Sequence, residues 1–280
     1  MNNGSPIEQM LACVKQLSPL SAAVIEVLAS FERQDVAVDK IADKISLDQG
    51  MVTRILRVAN SSFYGFPGKM GTMRDAVVLL GFHNIRSLVI AAGLIRQFPP
   101  RDHGQFDHNL FWQHSIGAGV CARVLAGRMG KDGELAFTAG LLHDIGRLVV
   151  EMGCPEKSDA VAAYIVGHDA TLLEAECAIL GIDHTAVGFE VAKRWNFPAA
   201  IQLAIRDHHQ PRQESGFLAD VVHVASVLCH ALGIGNTDND RVPPLSLGAW
   251  QRLGLRWETI KDCLPEIEHQ YAAASLMLGD

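Results

Sequence analysis

Six side chains between residues 114 and 209 have the types and settings for metal chemistry. They are His114 in FWQHSIGAG, the adjacent His143 and Asp144 in LLHDIGRL, His184 in DHTAVG, and His208 with His209 in RDHHQP. Neutral imidazole nitrogens and a carboxylate oxygen make up a mixed donor set that suits manganese, iron or zinc and, less well, magnesium. A divalent ion held by such donors can activate water and polarise a phosphoester, so metal-assisted hydrolysis is the reaction class these residues allow. The dipeptide alone carries little information. His168-Asp169 is a second copy just past a surface-patterned helix and reads as structural. His143-Asp144 differs because its surroundings are apolar, where an unpaired polar group is costly and a shared polar site is expected.

For these residues to act together, separate helices must aim them at one point. Apolar spacing is helical nearly throughout, as in Leu20, Val24, Val27, Leu28 and Phe31, and no convincing alternating strand is present, so the expected class is all-α. Beyond residue 104 the pattern predicts helices over 108–129, 134–152, 155–167, 171–180, 184–195, 198–209 and 217–232. After a polar loop over 233–244, one or two more follow, with Pro265 expected to kink or end one. The second of these predicted helices would carry His143-Asp144 in its interior. Thr72 with Asp75 predicts a capped helix start that Gly81 can close, and Thr171 with Glu174 matches a capping box. Gly117, Gly119, Gly140, Gly146 and Gly188 lie beside the candidate ligands and permit the close helix approach that converging ligands require. Two prolines, a glycine and polar residues over 99–104 interrupt the periodicity. They suggest an N-terminal helical subdomain over residues 1–100 and a second over 101–280.

Composition narrows the function classes. The 280 residues are 49% apolar, enough to fill large cores, and the formal charge of −7 comes without any run of Lys or Arg that could track phosphates. The segment over 39–60 looks like two short helices about a tight turn, the outline of a helix-turn-helix. Only Arg54 and Arg57 could read bases there, among Asp35, Asp39, Asp43 and Asp48, so packing rather than DNA binding is expected. Six cysteines at 13, 121, 154, 177, 229 and 263 form no Cys-x-x-Cys pair and read as reduced, mostly buried thiols. The apolar run over 87–95 is bracketed by Arg86 and Arg96, and the start MNNGSPIEQM lacks a signal pattern, so a cytoplasmic protein with no membrane partner is expected.

The chain resembles the HDOD domains, bacterial signalling-output relatives of the HD metal-dependent phosphohydrolases. The segments that carry the resemblance are LSPLSAAVIEVLASF, RILRVANSSFYG and DAVVLLGFHNIRSLVIAAGL, followed by FWQHSIGAG, LAFTAGLLHDIGRL, ILGIDHTAVGFEVAKRWNFP and IRDHHQP. It implies an N-terminal helical subdomain packed on an HD-like bundle. His114, His143 and Asp144 match the superfamily's metal-holding residues, and His184, His208 and His209 match further ligands of the phosphodiesterases that open cyclic dinucleotides. The last superfamily ligand is an aspartate, and Ser226 stands at the matching position in VVHVASVLCH. Leu110 stands where some members have a glutamate, and QPRQESGF follows His208-His209 without a Gly-Tyr-Pro element. The resemblance therefore implies a weak or vestigial metal site in a regulatory module that binds signalling proteins or a small phosphorylated ligand. A metal-dependent phosphohydrolase is the alternative.

Overall fold

The computed structural model describes residues 8, 10, 12, 14, 15, 19–31, 38–61, 68–101, 104–236 and 241–278. Parts of the ANSSFYG turn, the 99–104 break and the 233–244 loop, together with Cys13 and Asp35, lie outside the described residues. Among the described residues the architecture is all-α, without a strand.

The first helices are α1 (Ala22–Ala29), α2 (Val38–Ser46), α3 (Gln49–Ala59) and α4 (Met73–Gln97). The first three pack on α4 through Val24, Val27, Ile45, Met51 and Ile55, all fully buried, which is the apolar stripe the sequence spells out. Thr72 and Asp75 close a reciprocal capping box at the start of α4, and Gly81, non-helical with φ 79 and ψ 150, ends its first stretch as the sequence suggests and divides α4 in two. The helix-turn-helix outline is present as α2 and α3. On α3, Arg54 is engaged within the chain, its Nη1 donating to the Met277 carbonyl at 2.6 Å from the C-terminal 3-10 turn, Ser275–Leu278.

The remaining helices are α5 (His108–Arg128), α6 (Gly133–Leu142), α7 (Ile145–Gly153), α8 (Pro155–His168), α9 (Leu172–Leu180), α10 (His184–Arg194), α11 (Ala199–Asp207), α12 (Gly216–Ala231), α13 (Leu247–Arg252) and α14 (Trp257–Ala274). Helix α5 is the central post, buried almost continuously from Phe111 to Ala126 and flanked by α6, α12 and α14. Helix α10 packs across α7, and α11 bridges α10 to α12.

Glycines set two of these spacings. A Cβ on Gly140 would sit 2.7 Å from the Ala118 carbonyl oxygen, and one on Gly146 would sit 2.0 Å from that of His184. Backbone therefore meets backbone where α6 crosses α5 and where α7 crosses α10. A buried polar clasp ties α4 to this core. Glu134, at the start of α6, accepts from Arg123 Nη2 at 3.1 Å and from the Ser87 hydroxyl of α4.

One sequence expectation is corrected. The single helix over 134–152 is two, α6 and α7, broken at His143-Asp144, because those side chains turn into a shared polar site instead of following one helical face. Of the two outcomes expected at Pro265, an end to the helix is not seen, since α14 runs through it. Among the described cysteines Cys121, Cys229 and Cys263 are buried, Cys154 is partly buried and Cys177 is exposed on α9, in keeping with mostly buried thiols.

Candidate metal centre

The break between α6 and α7 is where the site begins. His143 caps the end of α6, and Asp144 precedes α7 without capping it by a side-chain hydrogen bond. The two side chains of this junction thereby reach one point that a continuous helix would have splayed apart by about 100°. Asp144 is the hub. Its Oδ1 lies 3.4 Å from His143 Nε2, 3.2 Å from His184 Nε2 and 3.4 Å from His208 Nε2. His209 Nε2 lies 3.1 Å from His184 Nε2. Two groups of potential ligand atoms result, Asp144 with His184, His208 and His209, and His114 with His143 and Asp144, each within 4.8 Å. All six sequence candidates are thus brought together by α5, α10 and the ends of α6 and α11.

The far sides of the rings decide what the near sides can do. His143 Nδ1 contacts the Gly140 carbonyl at 2.6 Å, and His208 Nδ1 contacts the Ile205 carbonyl at 2.9 Å. A carbonyl only accepts, so each Nδ1 carries a proton, and a singly protonated ring then presents a lone pair at Nε2. Those lone pairs face a carboxylate oxygen, which also only accepts. Accordingly, Asp144 Oδ1 and His208 Nε2 are buried without a hydrogen-bond partner. Acceptors facing acceptors in a buried site call for a cation between them. The 3.1–3.4 Å edges are also the spacing of neighbouring donors on one ion with bonds of about 2.0–2.2 Å. The residues present therefore fit a divalent transition metal.

Electrostatics follows from burial. Burial pushes His114 down to about 3 and His143 well below its usual value, against the pull of Asp144, so both rings are neutral at pH 7. Burial also lowers His209, with His208 and His184 adding to the effect. For Asp144, burial alone would raise the carboxyl, but the neighbouring imidazoles of His143 and His184 hold it well below the carboxylate range. Burial works against charge on His184 too, yet the Glu176 and Asp144 carboxylates raise it to about 10.

Ser226 Oγ lies 3.5 Å from His114 Nε2. Other neighbours were not picked out in the sequence. Arg147 Nη1 donates to Asp144 Oδ2 at 3.1 Å, and the His230 ring lies 4.4 Å from that of His114. His223 contacts the His208 carbonyl through Nδ1 at 2.7 Å and accepts from the Ser246 amide through Nε2 at 2.8 Å. Glu176 Oε2 accepts from the His184 amide at 2.9 Å and contacts its Nδ1 at 2.6 Å. A signal for Glu176 existed, since it continues the Leu172–Leu180 stripe at i+4 where an apolar residue belongs. His168 lies apart, exposed and stacked on Tyr164 at 4.0 Å, in keeping with its structural reading.

Known proteins share this fold in outline. A structure of a candidate phosphohydrolase from Shewanella amazonensis is 27% identical, covering 97% of this chain and 98% of that one, with a TM-score of 0.78. An HDOD domain protein of unknown function from Geobacter sulfurreducens, 24% identical, superposes over 97% of this chain and 99% of its own with a TM-score of 0.80. Among curated relatives, Ribonuclease Y of Lactobacillus acidophilus is 27% identical over 158 residues, 56% of this chain and 23% of that protein. The chain spans well under two thirds of the length of such relatives. The HDOD domain profile matches residues 17–211, from α1 through the His208-His209 turn. With that span, the all-helical architecture and the assembled His/Asp cluster, the chain belongs to the HDOD domain family.

Proposed function

We propose that this protein is a signalling-output module, a regulatory relative of the HD phosphohydrolases. In this reading its His/Asp centre holds a divalent ion as part of the scaffold, and the module acts by binding a signalling protein or a small phosphorylated ligand. The observation that carries the reading is the closure of the centre. His114, His143, Asp144, His184 and His208 are each at most 5% exposed, and Arg147 occupies the second oxygen of Asp144. A hydrolytic ion needs an open coordination position with room beside it for the phosphoester. The neutral Ser226 weighs the same way, since it supplies no charge to lower the pKa of a metal-bound water. His114, His143 and Asp144 would hold one ion, or Asp144, His184, His208 and His209 would, and the imidazole-dominated set favours zinc, iron or manganese over magnesium.

The alternative is a metal-dependent phosphohydrolase. It draws support from the similarity to a candidate phosphohydrolase and, over part of the chain, to Ribonuclease Y, as well as from His209, the half-buried member of the set. An ion there would supply Lewis acidity to a phosphoester oxygen. One experiment separates the two. Elemental analysis of protein purified without added metal is combined with turnover of a generic phosphodiester and of single-stranded RNA. The regulatory reading expects bound ion with turnover no faster than buffer. Turnover that disappears in Asp144→Ala would hand the site to the hydrolase reading.

A further inference from the structure

Ser226 leaves the centre one carboxylate short among the groups that could touch an ion. We propose that Glu176 is the second carboxylate of the centre, delivering through the His184 ring the negative charge that Ser226 does not supply. The proposal rests on the metal-holding reading of the site.

Charge is the first argument. Asp144 is matched by Arg147, whose guanidinium donates to Oδ2, so this pair brings little net charge to an ion. Glu176 is 3% exposed, and its ion-pair partner among the described residues is the His184 ring rather than an arginine or lysine. A carboxylate buried this deeply needs a compensating positive charge. Without an ion that charge is carried by the His184 ring itself, and an ion at Nε2, which faces Asp144 Oδ1 and His209 Nε2, would take its place.

Geometry is the second argument. Glu176 Oε2 takes both the amide and the Nδ1 of His184, fixing the ring's place and its tautomer together. With Nδ1–H donated to a carboxylate, Nε2 becomes a more basic donor than one whose Nδ1–H meets a carbonyl, as in His143 and His208. The reach from Glu176 to His184 is made by the turn at Gly181, whose φ of 69 ends α9 and reverses the chain. Glu176 is therefore a positioning residue with an electrostatic task, and the charge absent at position 226 is present one ring further out.

The test is metal affinity in four full-length proteins: wild type, Glu176→Gln, Ser226→Asp and the double variant. Each is stripped and titrated with zinc against a chromophoric chelator, and with cobalt(II) followed by its visible absorption. Glutamine keeps an acceptor for Nδ1–H and removes the charge, so Glu176→Gln should lower affinity by about 10- to 100-fold with the metal-free fold retained by circular dichroism. Ser226→Asp should recover most of that loss in the Glu176→Gln background, which a purely structural role for Glu176 would not allow. If Glu176→Gln does not fold, Glu176→Asp replaces it, drawing the charge back from Nδ1, with the same expected loss and recovery. Unchanged affinity in the Glu176 variant, or no recovery on adding Ser226→Asp, overturns this proposal alone. A wild type that takes up neither cobalt nor zinc overturns it together with the metal-holding reading.

Discussion

Asp144 is the shared member of the cluster, because three imidazole nitrogens approach the same oxygen of its carboxylate. Asp144→Asn should therefore abolish ion uptake more completely than any single histidine change, since the others each remove one donor and this removes the shared one. Titration with zinc or manganese measures the difference. His143→Ala, in metal-free protein, strands the buried Gly140 carbonyl and should cost about 1–3 kcal/mol in denaturant unfolding. At this scale much was legible. An apolar run interrupted by His-Asp signals a polar group that must find partners, and the six candidates do meet. Glu176 and His223 were not legible as partners, because their contacts to His184 and His208 depend on how the turn at Gly181 and the packing of α12 on α11 bring distant backbone together.

Between elements, the crossing of α7 and α10 is set by absent side chains. Gly146→Ala would place a methyl 2.0 Å from the His184 carbonyl oxygen and 2.8 Å from the Gly188 nitrogen. The helices would have to separate, so a loss of about 1–3 kcal/mol or more is expected in chemical unfolding, with His184 displaced from the cluster. Gly167, inside α8, has no atom within 4 Å of its would-be Cβ, and Gly167→Ala should be neutral or stabilise by up to about 1 kcal/mol. Helix starts were readable from local chemistry, as both capping boxes show. The break at His143-Asp144 was not, because neither glycine nor proline marks it. Its cause is tertiary, the pull of five imidazoles and one carboxylate toward one point.

For the whole molecule, the clasp of Glu134 with Arg123 and Ser87 ties α4 to the helices of the centre. Glu134→Ala would leave the largely buried Arg123 guanidinium uncompensated, at a cost of about 3–5 kcal/mol, and thermal unfolding should show it as a large fall in Tm. The all-α class was legible because helical periodicity persists through most of the chain. The tie between Arg54 and the C-terminal turn was not, since 223 residues separate its partners. It bears on the helix-turn-helix outline, where a defined duplex at near-physiological salt should not be retained, and retention lost in Arg54→Ala would contradict this.

Five of the six candidate ligands are sealed by packing, and His209 alone is half-buried. With backbone against backbone at Gly146, the helices leave little freedom to part and let an ion through. The distinction matters for time rather than for affinity. An ion in this centre should exchange with solvent slowly, past the His209 ring, so that His209→Ala accelerates isotope exchange of bound zinc by a larger factor than it raises the Kd.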